Sequence, residues 1–412
     1  MLQIYSTMSD ENNFDELMEG LLRPSEIKKY ENNLSLKEMF NERLKELDLS
    51  QKQAEALLGI EYRSLNGILN KTAKRVDIIN LLKLSEFLGI LPEKILTHYA
   101  IKEMNPESVE ELHRAKRHSF IVNNFDLSAL KKSKFINGKI NIDEAEKRIV
   151  KFFGLRSIFD YSHLFYSPAF SRTKRTSNSL MRDFWVKSAF QHFIKLKNPN
   201  KYDRDALVEL MPKIKPYTTN EKNGIITVIK ALYHIGITII YQPHLPSVQV
   251  RGATYIIEGK PCIVLTNLYE NYPTIWFALL HELHHVLYDF DDIEKRNYHL
   301  SGEPDLFLLQ ESKANEFARE YFLSYEKSNY IFPFIDERII VEQYAQENEI
   351  HSSIIYLFYQ HDQTKMGKTW DGRFNRYVPD ISTSLKEINT NVWQSETIEE
   401  SVKIIKETVF NF

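Results

Sequence analysis

His281, Glu282 and His285 spell H-E-x-x-H inside the segment NYPTIWFALLHELHHVLYDF. On a helix, residues four apart emerge one turn apart on the same face, so the two imidazoles can grip a single metal ion. Glu282 is turned by about 100° from His281, which leaves it beside the metal without occupying a ligand position. Two imidazoles with a neighbouring carboxylate are the parts of a metal-assisted hydrolysis, in which the carboxylate moves the proton of a water. Pro273 near the start and Leu279, Leu280, Leu283, Val286 and Leu287 around the motif predict a helix set into an apolar wall. Excluding water there strengthens each electrostatic interaction.

A third ligand has to come from elsewhere. The extended form of the motif would need glycine at position 288 and histidine at 291, where the chain has Tyr288 and Asp291. The other arrangement takes a glutamate from a second helix, with Asp or Asn one turn later to steady a ligand histidine. DLFLLQESKANEFAREYFL, residues 305–323, offers Glu311 and Asn315 on one face, beside Ala314 and Ala318, which let two helices approach closely. Glu311 is the expected third ligand and Asn315 the support of a histidine. Glu316 and Glu320 fall off that face. His284 fits the ligand spacing less well and reads as a supporting or core histidine, with a ligand role left open. Three protein ligands leave one open position and imply one zinc ion per chain.

The elements that position these residues follow from patterning over 412 residues, a length suited to two or three domains. Hydrophobic residues at 43% and charged residues at 26% are enough for a sizeable core and exclude wholesale disorder. The net charge of −3 argues against a uniformly basic nucleic-acid coat, though not against a local basic face. Cys262 is the single cysteine, so neither an intrachain disulfide nor a cysteine-rich zinc module is available. The acidic, polar start and the shortness of the apolar runs predict a soluble, cytoplasmic protein with no membrane partner. Residues 1–33 read as a polar extension. Five short helices follow over 34–100, with Ser50 as an N-cap and Pro92 opening the fifth. Residues 101–220 read as a helical connecting region without a chemical motif, and the basic run RTKRTS within it as a solvated loop. Residues 221–330 hold a helix, the β-like runs GITIIY, VRGATYIIEG and PCIVLTN with a hairpin turn at Glu258-Gly259-Lys260, and the two metal-site helices. Residues 331–412 are a helical tail. The fold class expected is mainly α with a small β-sheet, that is α+β.

The segments VRGATYIIEGKPCIVLTN, WFALLHELHHVLYD and ESKANEFAREYFLS together resemble the ImmA/IrrE family of metallopeptidases. The residues that carry the resemblance are Gly252, His281, Glu282, His285, Glu311, Ala314, Asn315, Phe317 and Ala318. The chain departs from the family pattern at His284, Lys313 and Ser352-Ser353. The resemblance implies a zincin-like domain with Glu282 as catalytic base, His281, His285 and Glu311 as zinc ligands, and a protein substrate. Tyr255, Arg251 and His351 are the candidates considered for steadying the oxyanion.

LSQKQAEALLGIEYRSLNGIL and LLKLSEFLGILPEKIL resemble the helix-turn-helix domain of the phage-repressor (XRE) family. That resemblance implies double-stranded DNA as a partner. Gln51 would touch a phosphate, Tyr62, Arg63 and Asn66 would face the major groove, and Lys71, Lys74 and Arg75 would contact phosphates. A helical bundle used only for dimerisation or docking remains the alternative, because Glu61 brings negative charge to the helix start and Gly67 interrupts the reading helix. The combined expectation is a DNA-binding regulator, with a second copy of the chain among its partners, fused to a zinc endopeptidase that cleaves a repressor or toxin-like partner in a stress, prophage or toxin–antitoxin response. The rival is a non-enzymatic regulator of the HigA antitoxin type that uses the metal fold as a protein-binding scaffold.

Overall fold

A computed structural model of the chain describes residues 34–100, 106–164, 177–246, 248–268, 271–301, 311–386 and 391–410, together with Pro24, Ile27, Lys28, Tyr30, Met104 and Ile388. Most of the expected N-terminal extension, the RTKRTS run apart from its last residue, Ser177, and residues 305–310 lie outside the described residues. The chain divides into two compact units, residues 1–117 and 118–412.

In the first unit, α1 (Leu36–Glu46), α2 (Gln51–Leu58), α3 (Tyr62–Leu69), α4 (Ile78–Leu88) and α5 (Pro92–His98) form a bundle. Ser35 and Ser50 cap α1 and α2, and Glu38 and Gln53 reach back to the cap backbones to close two capping boxes. Gly59, with φ +58, ends α2 in a left-handed turn that a side chain would strain. Leu36, Phe40, Ala54, Leu65, Leu84 and Ile95 meet in the core. Leu57, Ile78 and Ile79 are apolar, yet they are 68%, 56% and 51% exposed. Leu57 and Leu58 lie about 100° apart on the helix, and the bundle takes only Leu58. Ile78 and Ile79 occupy the first turn of α4, before its buried stripe of Leu81, Leu84 and Leu88. Gly67 has a packing role: an added Cβ would stand 3.2 Å from the Ala73 Cβ. Thr72 and Ala73 both donate backbone N–H groups to the Gly67 carbonyl, folding the segment after α3 onto that bare spot.

The second unit is helical around a four-stranded sheet of β1 (Thr238–Tyr241), β2 (Gly252–Ile257), β3 (Lys260–Leu265) and β4 (Tyr298–Ser301). The spatial order is β1-β3-β2-β4, with β1 and β3 parallel and the other pairs antiparallel. The hairpin expected at Glu258-Gly259 is present, and both residues have positive φ, as the tight two-residue turn demands. The sheet register decides which side chains reach the HExxH motif. Gly252 lies opposite Ser301 and Thr254 opposite His299, so these four share one face. Tyr255 and Tyr298 stack on the other face, with ring centroids 5.8 Å apart.

One hydrophobic core runs from Ile121 to Val409 and includes Trp185, Trp276 and Trp393. It spans both expected boundaries, 220/221 and 330/331. The helix Ser177–Leu196 packs on the tail helix Ile398–Ile405, where Ser401 Oγ meets buried His192 Nε2 at 2.6 Å. The architecture is therefore α+β and mainly helical, as expected. No helix among the described residues is long and apolar enough to cross a membrane.

Candidate metal centre

The helix Tyr272–Tyr288 carries the motif, and the helix Glu311–Phe322, with Ala314 and Ala318 buried, packs along it. Glu311 thereby comes to His281 and His285: its Oε2 lies 3.4 Å from His281 Nε2 and its Oε1 3.4 Å from His285 Nε2. The two Nε2 atoms are 3.2 Å apart. Ligand atoms about 2.0–2.1 Å from a tetrahedral centre stand about 3.3–3.4 Å from one another. The separations of the two nitrogens, and of each nitrogen from its nearer carboxylate oxygen, thus match the ligand spacing of a zinc-sized site. His281 and His285 are buried, while Glu311 retains 37% of its side-chain exposure and keeps the centre open to the cleft.

The other ring nitrogens show why both Nε2 atoms turn inward. His285 Nδ1 donates to Asp289 Oδ2 at 2.8 Å, since a carboxylate can only accept. His281 Nδ1 lies 3.1 Å from Asn315 Oδ1, the support expected of Asn315. With Nδ1 protonated in both rings, the two Nε2 lone pairs turn toward one another, a gap that suits a cation, and Ser301 Oγ lies 3.2 Å from His281 Nε2. Burial works to lower the pKa of His285, but hydrogen bonds to Asp289 and Glu311 outweigh it and raise the pKa to about 9. Burial likewise works to raise the pKa of Glu311, while hydrogen bonds from His281, His285 and His299 hold it well below the usual carboxylate range. The cluster is built around positive charge.

His299 was not anticipated from the sequence. Its Nε2 lies 2.6 Å from Glu311 Oε1, and its ring centroid is 4.5 Å from that of His285. It fixes the Glu311 carboxylate from the sheet side. A second convergence, of His284, His285 and Asp289, gathers behind the first. His284 Nδ1 is 3.6 Å from Asp289, too far for a hydrogen bond. Burial, followed by the charge of His285, takes the His284 pKa down to about 4. His284 packs between Tyr288 and Phe317, as a core histidine does.

No family model, curated protein or solved structure matches the chain. The metal reading therefore stands on these atoms alone.

Glu282 is 1% exposed, and its Oε2 accepts a hydrogen bond from Thr254 Oγ1 at 2.7 Å. A Cβ added at Gly252 would come within 2.4 Å of its Oε1, so this glycine makes room for the carboxylate. The cleft in front of the centre is lined by His281, Glu282, Glu311 and Arg251. Of the three candidates for steadying an oxyanion, only Arg251 lies there. The Tyr255 hydroxyl donates to the Val186 carbonyl, and His351 faces Ser353 and Glu221. Asp291, Glu316 and Glu320 are exposed and stand apart from the cluster.

On the first unit, Tyr62, Arg63, Lys71 and Lys74 are exposed, and Gln51 and Asn66 are half-buried. Gln51 Nε2 donates to Glu55, Asn66 lies between Tyr62 and Asn70, and Lys74 pairs loosely with Glu107 at 3.4 Å. Tyr62 and Arg63 open α3.

Proposed function

We propose that the chain is a zinc-dependent endopeptidase joined to a helix-turn-helix unit that binds double-stranded DNA, and that it regulates transcription by cleaving a protein partner such as a repressor. The observation that carries the enzymatic half is the convergence of His281 Nε2 and His285 Nε2, 3.2 Å apart, on the Glu311 carboxylate, whose Oε2 and Oε1 each lie 3.4 Å from one of the two rings. Two neutral imidazoles and one carboxylate are a donor set that suits zinc. Bound zinc would supply Lewis acidity, which makes water a nucleophile at neutral pH and polarises a carbonyl. The remaining work falls to the chain. Asp289 and Asn315 orient the two imidazoles, and His299 holds Glu311. Glu282, kept in place by Thr254 and Gly252, takes a proton from water and returns it to the leaving amine. The stress, prophage or toxin–antitoxin setting, and cleavage of a repressor in particular, follow from the family resemblance.

The DNA half has its own test. Arg63→Ala and Asn66→Ala should weaken discrimination between DNA sites, costing about 1–3 kcal/mol at a preferred site if they read bases. Lys71→Ala and Lys74→Ala should weaken binding to all sequences and reduce the salt slope by about one each. Fluorescence anisotropy with the full chain across a salt series measures both. A chain that ignores DNA even at low salt would make the bundle a docking module.

A further inference from the structure

Beyond the metal the cleft widens into a cavity of ≈ 760 Å³. Arg251, Thr274, Phe277 and Asn315 line both the cavity and the metal cleft, so the two are continuous. We propose that this cavity is a recognition subsite for a carboxylate carried by the polypeptide substrate, with the Arg319 guanidinium as its anchor. Arg319 sits on the same helix as Glu311, two turns further on, and is 5% exposed. It donates through Nη2 to Asp362 Oδ2 at 2.8 Å, while its Nε and Nη1 are buried without an acceptor. The ring of Phe358 lies under the guanidinium at 4.0 Å and that of Tyr325 at 5.1 Å, and the Tyr325 phenol adds a weaker charge attraction and a weak side-chain hydrogen bond. Aromatic faces steady the cation but do not satisfy its N–H edge. Buried donors are costly to leave unmade, and a planar fork of N–H groups matches a carboxylate better than any other common group. Around Arg319 the cavity walls carry Arg251 and Lys365 against Glu316 and Asp362, a balance of three fixed positive charges to two negative.

The subsite rests on the peptidase reading for its occupant, a stretch of polypeptide, but not for its chemistry. An acidic side chain and a free chain terminus both offer the carboxylate. Calorimetric titration of the full-length, zinc-depleted protein separates them, using N-acetyl-Ala-Glu-Ala-amide, its glutamine counterpart and N-acetyl-Ala-Ala-Ala with a free carboxylate. The glutamate peptide, the free-terminus peptide or both should bind about ten- to a hundredfold more tightly than the glutamine peptide. Arg319→Gln should erase that preference. Should this variant fail to fold, Asp362→Asn supplies an effect of opposite sign: it keeps the side-chain shape, removes the competing carboxylate and should strengthen binding of the charged peptide. A purely structural Arg319–Asp362 pair would give no such gain. Equal binding of all three peptides, or an unchanged preference in Asp362→Asn, overturns the subsite. If the preference and its response to Asp362→Asn hold while zinc-loaded protein cleaves nothing, the peptidase reading fails and the subsite stands.

Discussion

Glu282→Gln should leave zinc content, fold and DNA binding as in the parent while slowing cleavage by about 10²–10⁴-fold, the usual worth of a positioned general base. Glu282 is held off the ligand set by the Thr254 hydroxyl and by the bare backbone of Gly252, so the metal does not depend on it. Glutamine keeps the volume and retains an oxygen to accept from Thr254 Oγ1, but it cannot take up a proton at neutral pH. Loss of activity with unchanged zinc therefore isolates proton transfer from metal binding. Cleavage of the partner during co-expression, followed by gel and mass spectrometry, measures the effect. A Glu282→Gln protein that behaves like the parent in every assay would favour the regulator that uses this fold as a binding scaffold.

Glu311→Ala should strip most of the zinc from the purified protein, whereas Glu316→Ala should retain it. Both glutamates lie on one helix, but Glu311 reaches both imidazoles and Glu316 is exposed. Removing Glu311 takes away a charged ligand and leaves two imidazoles, so the loss should exceed the roughly 10–100-fold drop in affinity typical of losing an outer partner. His299→Ala and Asn315→Ala, which only hold Glu311 and His281, should fall within that smaller range. Competition titration against a chromophoric zinc chelator gives the order directly. Full affinity in Glu311→Ala would place the third ligand elsewhere.

Local chemistry was legible in the sequence where it depends on near neighbours. The i, i+4 spacing of His281 and His285, the Ser50 cap and the Glu258-Gly259 turn are all set within a few residues. Glu311 and Asn315 could be read because Ala314 and Ala318 mark the contact face of their helix. His299 could not. It lies on a four-residue strand, too short to show alternation, and meets Glu311 only because β4 pairs with β2. Asp289 follows His285 by four residues, a spacing that could have flagged it as the acceptor for Nδ1. Residues 118–220 carry no motif, and their place in the shared core depends on contacts with residues such as Trp393 and Ser401 far along the chain. Arg319 gives no sign in sequence of two unmet donors, because that property belongs to its packed surroundings.

The central claim, that His281, His285 and Glu311 hold one zinc ion, is tested most directly by the zinc K-edge X-ray absorption spectrum of the zinc-loaded full chain. The predicted first shell contains only nitrogen and oxygen at about 2.0–2.1 Å, with outer scattering from two imidazoles, at about one zinc per chain. A third imidazole would make His299 a ligand in place of a positioning residue. Failure to retain zinc, or a shell without imidazole scattering, would contradict the account.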